Sequence, residues 1–370
     1  MKFIINRETL LKPLLLVSSV VENKQTMPVL SNILIRAEED SLHLTGSDTE
    51  VELIGRIPLD ASPESTGITT APARKLLDIC KSLPDNSEIL FSTKDNQSQM
   101  ACSSGRSRFT LSTLPAETFP VSQEEPASVS FSIASNALRR LIDRTGFAMS
   151  TQDVRYYLNG MLFKISEQTL TAVATDGHRL AVSSEITEEG VTEGKQVIVP
   201  RKAVLELARL VAEGEDNVTI TLGQNHICAH TGPFSFTSKL VDGKFPDYER
   251  VIPYGGQKSM LADRQTLRQA LSRAAILSNA KHRGVNLTLE NNTMKMAANN
   301  PEQEQAEDEI PVNYADAELK ISFNVDYLRD VLSVATSDTI QMIFSDSFSS
   351  VLIKQPDDDR STYVVMPMGR

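Results

Sequence analysis

The chain repeats itself three times over, and any fold it takes must accommodate that period. Three segments share one pattern: "FIINRETLLKPLLLV" from Phe3, "FSIASNALRRLIDRT" from Phe131 and "MLADRQTLRQALSRA" from Met260. Each reads as a short apolar strand, a polar residue where a helix would be capped, and then leucines at helical spacing. The starts lie about 128 residues apart, which is the size of a domain rather than of a solenoid repeat. A second trio keeps the period: "TTAPARKLLDICKSL" from Thr69, "VIVPRKAVLELARLV" from Val197 and "ISFNVDYLRDVLSVA" from Ile321. Pro72, Pro200 and Asn324 stand at its helix starts, and proline suits a first turn because its missing N–H is not needed there. A third trio, "SRFTLSTLPAETFP", "FSFTSKLVDGKFPDY" and "STYVVMPM", reads as strands near the ends of the repeats.

A chain of 370 residues built this way is expected to form three α+β domains of one design, about 1–124, 125–256 and 257–370. The connectors "QEEPAS" from Gln123 and "IPYGGQKS" from Ile252 carry the turn-forming residues that separate them. The hydrophobic fraction of 40% is that of a globular protein, and the densest aliphatic run near the N-terminus, Leu14 to Val17, is far too short to span a membrane. Arg7 interrupts the first apolar residues too early for a secretory signal core. Cys80, Cys102 and Cys228 are odd in number and widely spaced, which excludes a zinc pairing motif and argues against a disulfide framework. A reducing cytoplasm is the expected location.

The stretch "ATDGHRLA", Ala174 to Ala181, sets Asp176, His178 and Arg179 close together and looks catalytic. The repeat supplies a control. The matching stretches are "LTGSDTEVEL" and "MAANNPEQEQ", so Asp48, Asp176 and Asn300 align while the histidine does not recur. Turn-forming residues at one place in all three repeats predict a hairpin turn. A catalytic reading, an enzyme acting on nucleic acid through Asp176 and His178, would need a nucleophile or metal partners that no motif supplies. Phosphate loops, dinucleotide fingerprints and nucleophile elbows are also absent.

The net charge of −11 speaks against nucleic acid until its distribution is considered. The six predicted helices, 7–20, 72–83, 136–148, 201–212, 264–283 and 325–335, hold 17 basic and 6 acidic residues, leaving 20 basic and 42 acidic elsewhere. Helix propensity favours Glu as much as Lys or Arg, so it does not explain the selective shortage of acid. One face of each helix is apolar, as in Leu76, Cys80 and Leu83, and the other is expected to face a polyanion. With no Trp and 5% aromatics, contacts to phosphate that ignore sequence fit better than base stacking.

The stretches "SGRSRFTLSTLP", "QDVRYYLNGMLF", "ATDGHRLAV", "VIVPRK", "FTSKLVDGKFPDY", "RAAILSN" and "NNPEQEQAE" resemble the bacterial DNA polymerase III beta subunit, the replication sliding clamp family. The resemblance covers essentially the whole chain. It implies three tandem copies of one clamp domain and a head-to-tail homodimer closed into a ring, with helices inside and sheets outside. It further implies a non-catalytic processivity factor without cofactor or metal. Its partners would be double-stranded DNA held without regard to sequence, the replicative polymerase, the clamp loader and other proteins carrying a clamp-binding motif.

Carried onto this sequence, the resemblance implies DNA contacts at Lys24, Arg74, Gln152, Tyr156, Tyr157, Arg201 and Lys202. It implies a partner-peptide pocket at Leu158, Thr175, Gly177, His178, Arg179, Leu180, Pro246, Arg250 and Val251, with Asn324, Tyr327, Phe348, Ser350, Val364, Met366, Pro367 and Met368. At the dimer interface Phe109 and Leu111 would meet Ile276 and Leu277, and Arg106 and Arg108 would face the acidic run of Glu302, Glu304, Glu307 and Asp308. Two departures bear on partner preference: His282, where members of the family often carry an aromatic apolar residue, and the ending "MPMGR", where they commonly end in arginine and leucine. A tandem-repeat adaptor that never encircles DNA is the competing binding-protein reading.

Overall fold

All three repeats take one element order: strand, helix, four strands, helix, three strands. The structure is a computed structural model and describes residues 1–22, 27–93, 98–122, 125–212, 214 and 216–369. The first repeat holds β1 (Lys2–Asn6), α1 (Arg7–Val20), β2 (Asn32–Ala37), β3 (Ser41–Ser47), β4 (Val51–Pro58), β5 (Gly67–Pro72), α2 (Ala73–Ser82), β6 (Glu88–Thr93), β7 (Gln99–Ser104) and β8 (Ser107–Ser112). The second holds β9 (Val129–Ala134), α3 (Ser135–Thr145), β10 (Gly160–Ser166), β11 (Thr169–Thr175), β12 (Arg179–Ile186), β13 (Lys195–Pro200), α4 (Arg201–Leu210), β14 (Asn217–Leu222), β15 (His226–Thr231) and β16 (Phe234–Lys239). The third holds β17 (Lys258–Asp263), α5 (Arg264–Ala275), β18 (Gly284–Glu290), β19 (Thr293–Asn299), β20 (Gln305–Pro311), β21 (Leu319–Asn324), α6 (Val325–Val334), β22 (Thr339–Phe344), β23 (Val351–Gln355) and β24 (Asp358–Val365).

Three helices, α1, α5 and α6, begin where the sequence supplies a side-chain cap. Asn6 accepts the Glu8 amide at 2.9 Å, Asp263 the Thr266 amide at 2.7 Å, and Asn324 the Asp326 amide at 2.9 Å. The predicted helix 264–283 stops at Ala275. Beyond it Asn279 Oδ1 accepts the amides of Lys281 and His282, and Arg283 donates to the Ala275 carbonyl at 3.0 Å, so side chains replace the next helical turn. Lys281 and Arg283 therefore leave the helical charge tally, which becomes 15 basic against 6 acidic residues.

Each repeat contributes two four-stranded antiparallel sheets, and two pairs of these fuse across the repeats. The strand orders are β1-β6-β7-β8, β5-β2-β3-β4-β16-β15-β14-β9, β13-β10-β11-β12-β24-β23-β22-β17 and β20-β19-β18-β21. The joins are β4 with β16, where Leu53 faces Phe236, and β12 with β24, where Ala181 faces Tyr363. Both aromatic residues are fully buried at these joins.

The chain gathers into two compact units that do not follow the repeats. One is Met1–Asn136, Thr187–Glu193 and Lys202–Leu240; the other is Ala137–Ile186, Gly194–Arg201 and Val241–Arg370. The central repeat is divided between them, because each of its sheets continues a sheet of a neighbouring repeat. In the first unit α1 sends Leu10, Leu14, Val17 and Val20 into the core, α2 sends Leu76 and Cys80, and Phe3 stacks on Phe91 at 5.1 Å. In the second, Leu267 and Leu271 of α5 and Leu328 and Leu332 of α6 are buried.

Candidate nucleic-acid and partner-binding sites

The segment "ATDGHRLA" is a hairpin turn, joining β11 to β12 with Thr175 opposite Leu180. Asp176 Oδ1 accepts the amides of His178 at 2.9 Å and Arg179 at 3.0 Å. Gly177 sits at φ 88°, which a side chain would strain. In the first repeat Asp48 Oδ1 accepts the amides of Glu50 at 2.9 Å and Val51 at 2.7 Å, and in the third Asn300 Oδ1 accepts that of Glu304 at 2.9 Å. The recurring residue is a turn-former in all three repeats. The second carboxylate oxygen of Asp176 takes Arg179 Nε at 3.1 Å, so this group is engaged on both sides.

Arg179 organises the side chains around the turn in the second unit. Its guanidinium lies 4.6 Å from the centre of the Tyr327 ring and 5.3 Å from that of Phe147. It also donates to the Phe147 carbonyl at 2.9 Å and pairs with Asp330. The His178 ring stacks on Tyr327 at 6.1 Å. Burial, and after it the nearby Asp176 carboxylate, push the Tyr327 hydroxyl above its ordinary pKa.

Beneath these side chains lies a floor of buried apolar residues, Leu162, Val173, Leu180, Ile198, Phe245, Ile252, Leu352 and Val364, with Tyr157 and Tyr248 packed against it. Of the predicted pocket residues, Leu180 and Val364 are in this floor and Leu158 is buried. Thr175 Oγ1 donates to the Arg179 carbonyl at 2.6 Å, and the Met366 amide donates to the His178 carbonyl at 2.9 Å, which ties the end of β24 to the turn. Pro246, Val251 and Met366 are exposed, Arg250 is exposed beside Asp247, Ser350 and Pro367 are half-buried, and Asn324 caps α6. Phe348 and Met368 line a separate depression of about 240 Å³ with Thr288 and Lys320 rather than the wall around the turn. His282 is exposed in the turn after α5, and Arg370 lies outside the described residues. The floor residues Leu162, Ile198, Phe245, Ile252 and Leu352 were missed in the sequence. Continuous apolar runs in β10 and β13 mark two of them as buried, but not as part of a binding site.

The basic helical residues are less free than their count suggests. Arg7, Arg139, Arg140, Arg144, Lys202, Arg209, Arg273 and Arg329 each pair with a carboxylate. Arg74, Lys75, Lys81 and Arg268 make no ion pair among the described residues. Of the predicted DNA contacts, Arg74 is exposed on α2 and joins Leu15, Glu22, Leu77 and Lys202 around an open depression of about 770 Å³. Lys202 pairs with Asp48 and, at 2.6 Å, with Glu22. In the second unit Gln152 and Tyr156 are exposed, Tyr157 packs against the apolar floor residues, and Arg201 donates to the Met149 carbonyl at 3.2 Å. Lys24 lies outside the described residues.

β8 and β20 each form one edge of a four-stranded sheet. Exposed Arg106 directly precedes β8, which carries exposed Arg108, half-buried Phe109 and buried Leu111. β20 carries Glu307, Asp308 and Glu309 and follows exposed Glu302 and Glu304. Asp308 is already paired with Arg273 at 2.7 Å. Ile276, just past α5, is 76% exposed, and Leu277 beside it is half-buried. Among the described residues no three His, Cys, Asp or Glu side chains gather to hold a metal ion, and no helix is long and apolar enough to cross a membrane.

A threefold tandem repeat whose sheets fuse from one repeat to the next defines a protein of the DNA-clamp class. Residues 1–123, 132–247 and 249–369 match, in order, the N-terminal, central and C-terminal domain models of the DNA polymerase III beta subunit. The beta sliding clamp of Pseudomonas aeruginosa is 57% identical over the full length of both chains, and that of Escherichia coli is 47% identical over the same extent. A crystal structure of the Pseudomonas aeruginosa clamp bound to griselimycin superposes with a TM-score of 0.97, and a Caulobacter crescentus beta subunit, 38% identical, with 0.94; each match covers all of both chains. The chain belongs to the DNA polymerase III beta subunit family, the bacterial sliding clamps. It is a DNA sliding clamp that tethers its partners, a processivity factor rather than an enzyme.

Proposed function

We propose that this clamp closes head to tail through β8 and β20, threads duplex DNA past its helices, and holds peptide partners in the groove beneath Arg179. The observation that carries the closure is the repeat register. Strands β4 and β12 each join the last strand of the following repeat, β16 and β24. β20 is their counterpart in the third repeat and β8 is the counterpart of β16 and β24, so one further join of the same kind would complete the pattern with a second copy. Phe109 stands where Phe236 and Tyr363 stand, opposite Cys102 as Phe236 is opposite Ala229. Pairing with the partner's Ala306, the counterpart of Leu53 and Ala181, would bury it. Arg106 and Arg108 against the acidic β20 would fix orientation more than affinity.

Arg74, Gln152, Tyr156, Tyr157, Arg201 and Lys202 are the described residues assigned to DNA, in a cytoplasmic protein with repeat limits near 124 and 256. Few free cations suit sliding, because tight phosphate contacts would act as a brake while topology prevents escape. The groove, apolar with a few polar groups at its rim, suits a short hydrophobic segment, and its methionine adapts to several partners. Griselimycin would bind there.

The test is retention on DNA. The protein is loaded on nicked circular plasmid by a bacterial clamp loader with ATP, washed in high salt, and half the sample is linearised. Protein that stays on circles and leaves linear ends is the expected result. Equal loss from both forms, with a known clamp retained on circles in parallel, would replace the ring with an adaptor.

A further inference from the structure

The register allows the two fused junctions to be compared position by position. In the second unit Leu162 faces Val173 and Ile198, Thr175 faces Leu180, and Val364 faces both Leu180 and Leu352. In the first unit the same ladder places are Leu34 facing Thr45 and Thr70, Ser47 facing Glu52, and Thr237 facing both Glu52 and Cys228. The apolar floor of the second unit thus has a polar counterpart. Leu180 becomes Glu52, Ile198 becomes Thr70, Val173 becomes Thr45 and Val364 becomes Thr237, while Leu352 becomes the smaller Cys228, and Leu34 keeps its character in a cluster with Val29, Leu30 and Phe119.

Glu52 is 4% exposed, and its carboxylate accepts the Ser122 amide at 3.1 Å. No cation pairs with it among the described residues. Thr70 accepts from Asn32 at 2.9 Å and donates to the Leu114 carbonyl at 2.9 Å, so its hydroxyl is bound to the segment following β8. An apolar ligand side chain entering here would complete the desolvation of a carboxylate without offering it a counter-charge, and would displace satisfied hydrogen bonds.

We propose that this polar set, with Glu52 at its centre, confines apolar partner peptides to the second unit, leaving one site per protomer in a fold whose repeat supplies two equivalent places. The proposal rests on the reading of the second-unit groove as the peptide site. It makes Glu52 a specificity determinant although it touches no ligand in the occupied groove.

The probe is griselimycin, titrated by calorimetry against the full chain, with thermal unfolding as the check on folding. One site per protomer is expected for the unaltered chain. Val364→Thr, nearly isosteric and copying Thr237, is expected to weaken binding by roughly tenfold or more, and Leu180→Glu, copying Glu52, by roughly a hundredfold or more. Glu52→Leu, Thr70→Ile and Thr237→Val together, in the Leu180→Glu chain, are expected to restore a binding site. Two sites in the unaltered chain, or a folded restored variant that binds nothing, overturns the proposal while leaving the groove assignment standing. Should the restored variant fail to fold, unchanged affinity in Val364→Thr overturns it equally. Full affinity in Leu180→Glu removes the groove assignment and this inference together.

Discussion

The ammonium of Lys202 lies against the carboxylate of Asp48, the same residue whose other oxygen caps the first hairpin turn. The Asp48 side chain is only 6% exposed, so it depends on that cation. Lys202→Ala should destabilise the protein by about 2 kcal/mol, because a buried carboxylate loses its partner. Asp48→Asn in the same chain should recover part of the loss. Urea unfolding of the two single variants and the double variant measures this, and additive effects would show that the pair is not coupled.

Glu52 carries a pH signature. Burial pushes its carboxyl above the ordinary glutamate value, with the Ser122 amide opposing. A raised carboxyl binds its proton more tightly in the folded state, so its contribution is most favourable below the unfolded value of about 4.3 and is lost as pH rises through the folded one. Glu52→Gln should therefore unfold at higher urea concentration than the unaltered chain at pH 7, and the gap should close below about pH 4. A gap that persists at low pH would mean that the charge is not its source.

Arg179 is not replaceable by lysine. The planar guanidinium lies against two rings while serving two carboxylates and a carbonyl, and an ammonium cannot do all of this. Arg179→Lys should cost about 1–3 kcal/mol of stability and weaken griselimycin binding through loss of the Tyr327 wall. Thermal unfolding and calorimetry test the two effects separately.

The proposed closure would cover Ile276, which is exposed in the single chain. Ile276→Asp adds a carboxylate to an apolar contact near an acidic strand, and should shift the dimer toward monomer at micromolar concentration without lowering the unfolding temperature of the monomer. Sedimentation equilibrium reads the first effect and calorimetric unfolding the second.

Much of the fold was legible because the sequence carries its own alignment. The period places Asp48, Asp176 and Asn300 in equivalent turns, and Asn6, Asp263 and Asn324 as helix caps, from local chemistry alone. Local chemistry also misled at α5, where Arg273, Lys281 and Arg283 continue a basic helical pattern that Asn279 ends. The fused sheets were beyond such reading. β4 meets β16, and β12 meets β24, across more than 170 residues of chain, and nothing in a strand's own sequence names a partner so distant. For the same reason the apolar floor, assembled from six strands and the segment after β16, was only partly found. The free charge on the helices was overestimated because composition does not reveal which carboxylate a cation meets.

The turn at Asp176 and Gly177 also bears on chemical ageing. An aspartyl-glycyl bond is the peptide link most open to isomerisation, in which the glycine nitrogen attacks the neighbouring carboxyl carbon and the backbone reroutes through the side chain. Here the Gly177 amide donates to Thr175 Oγ1 at 3.1 Å, and both carboxylate oxygens of Asp176 are held by His178, Arg179 and its guanidinium. Nucleophile and electrophile are each fixed by other partners. The bond that shapes the groove wall is therefore protected for as long as the protein stays folded, and its damage should accumulate in denatured chains first.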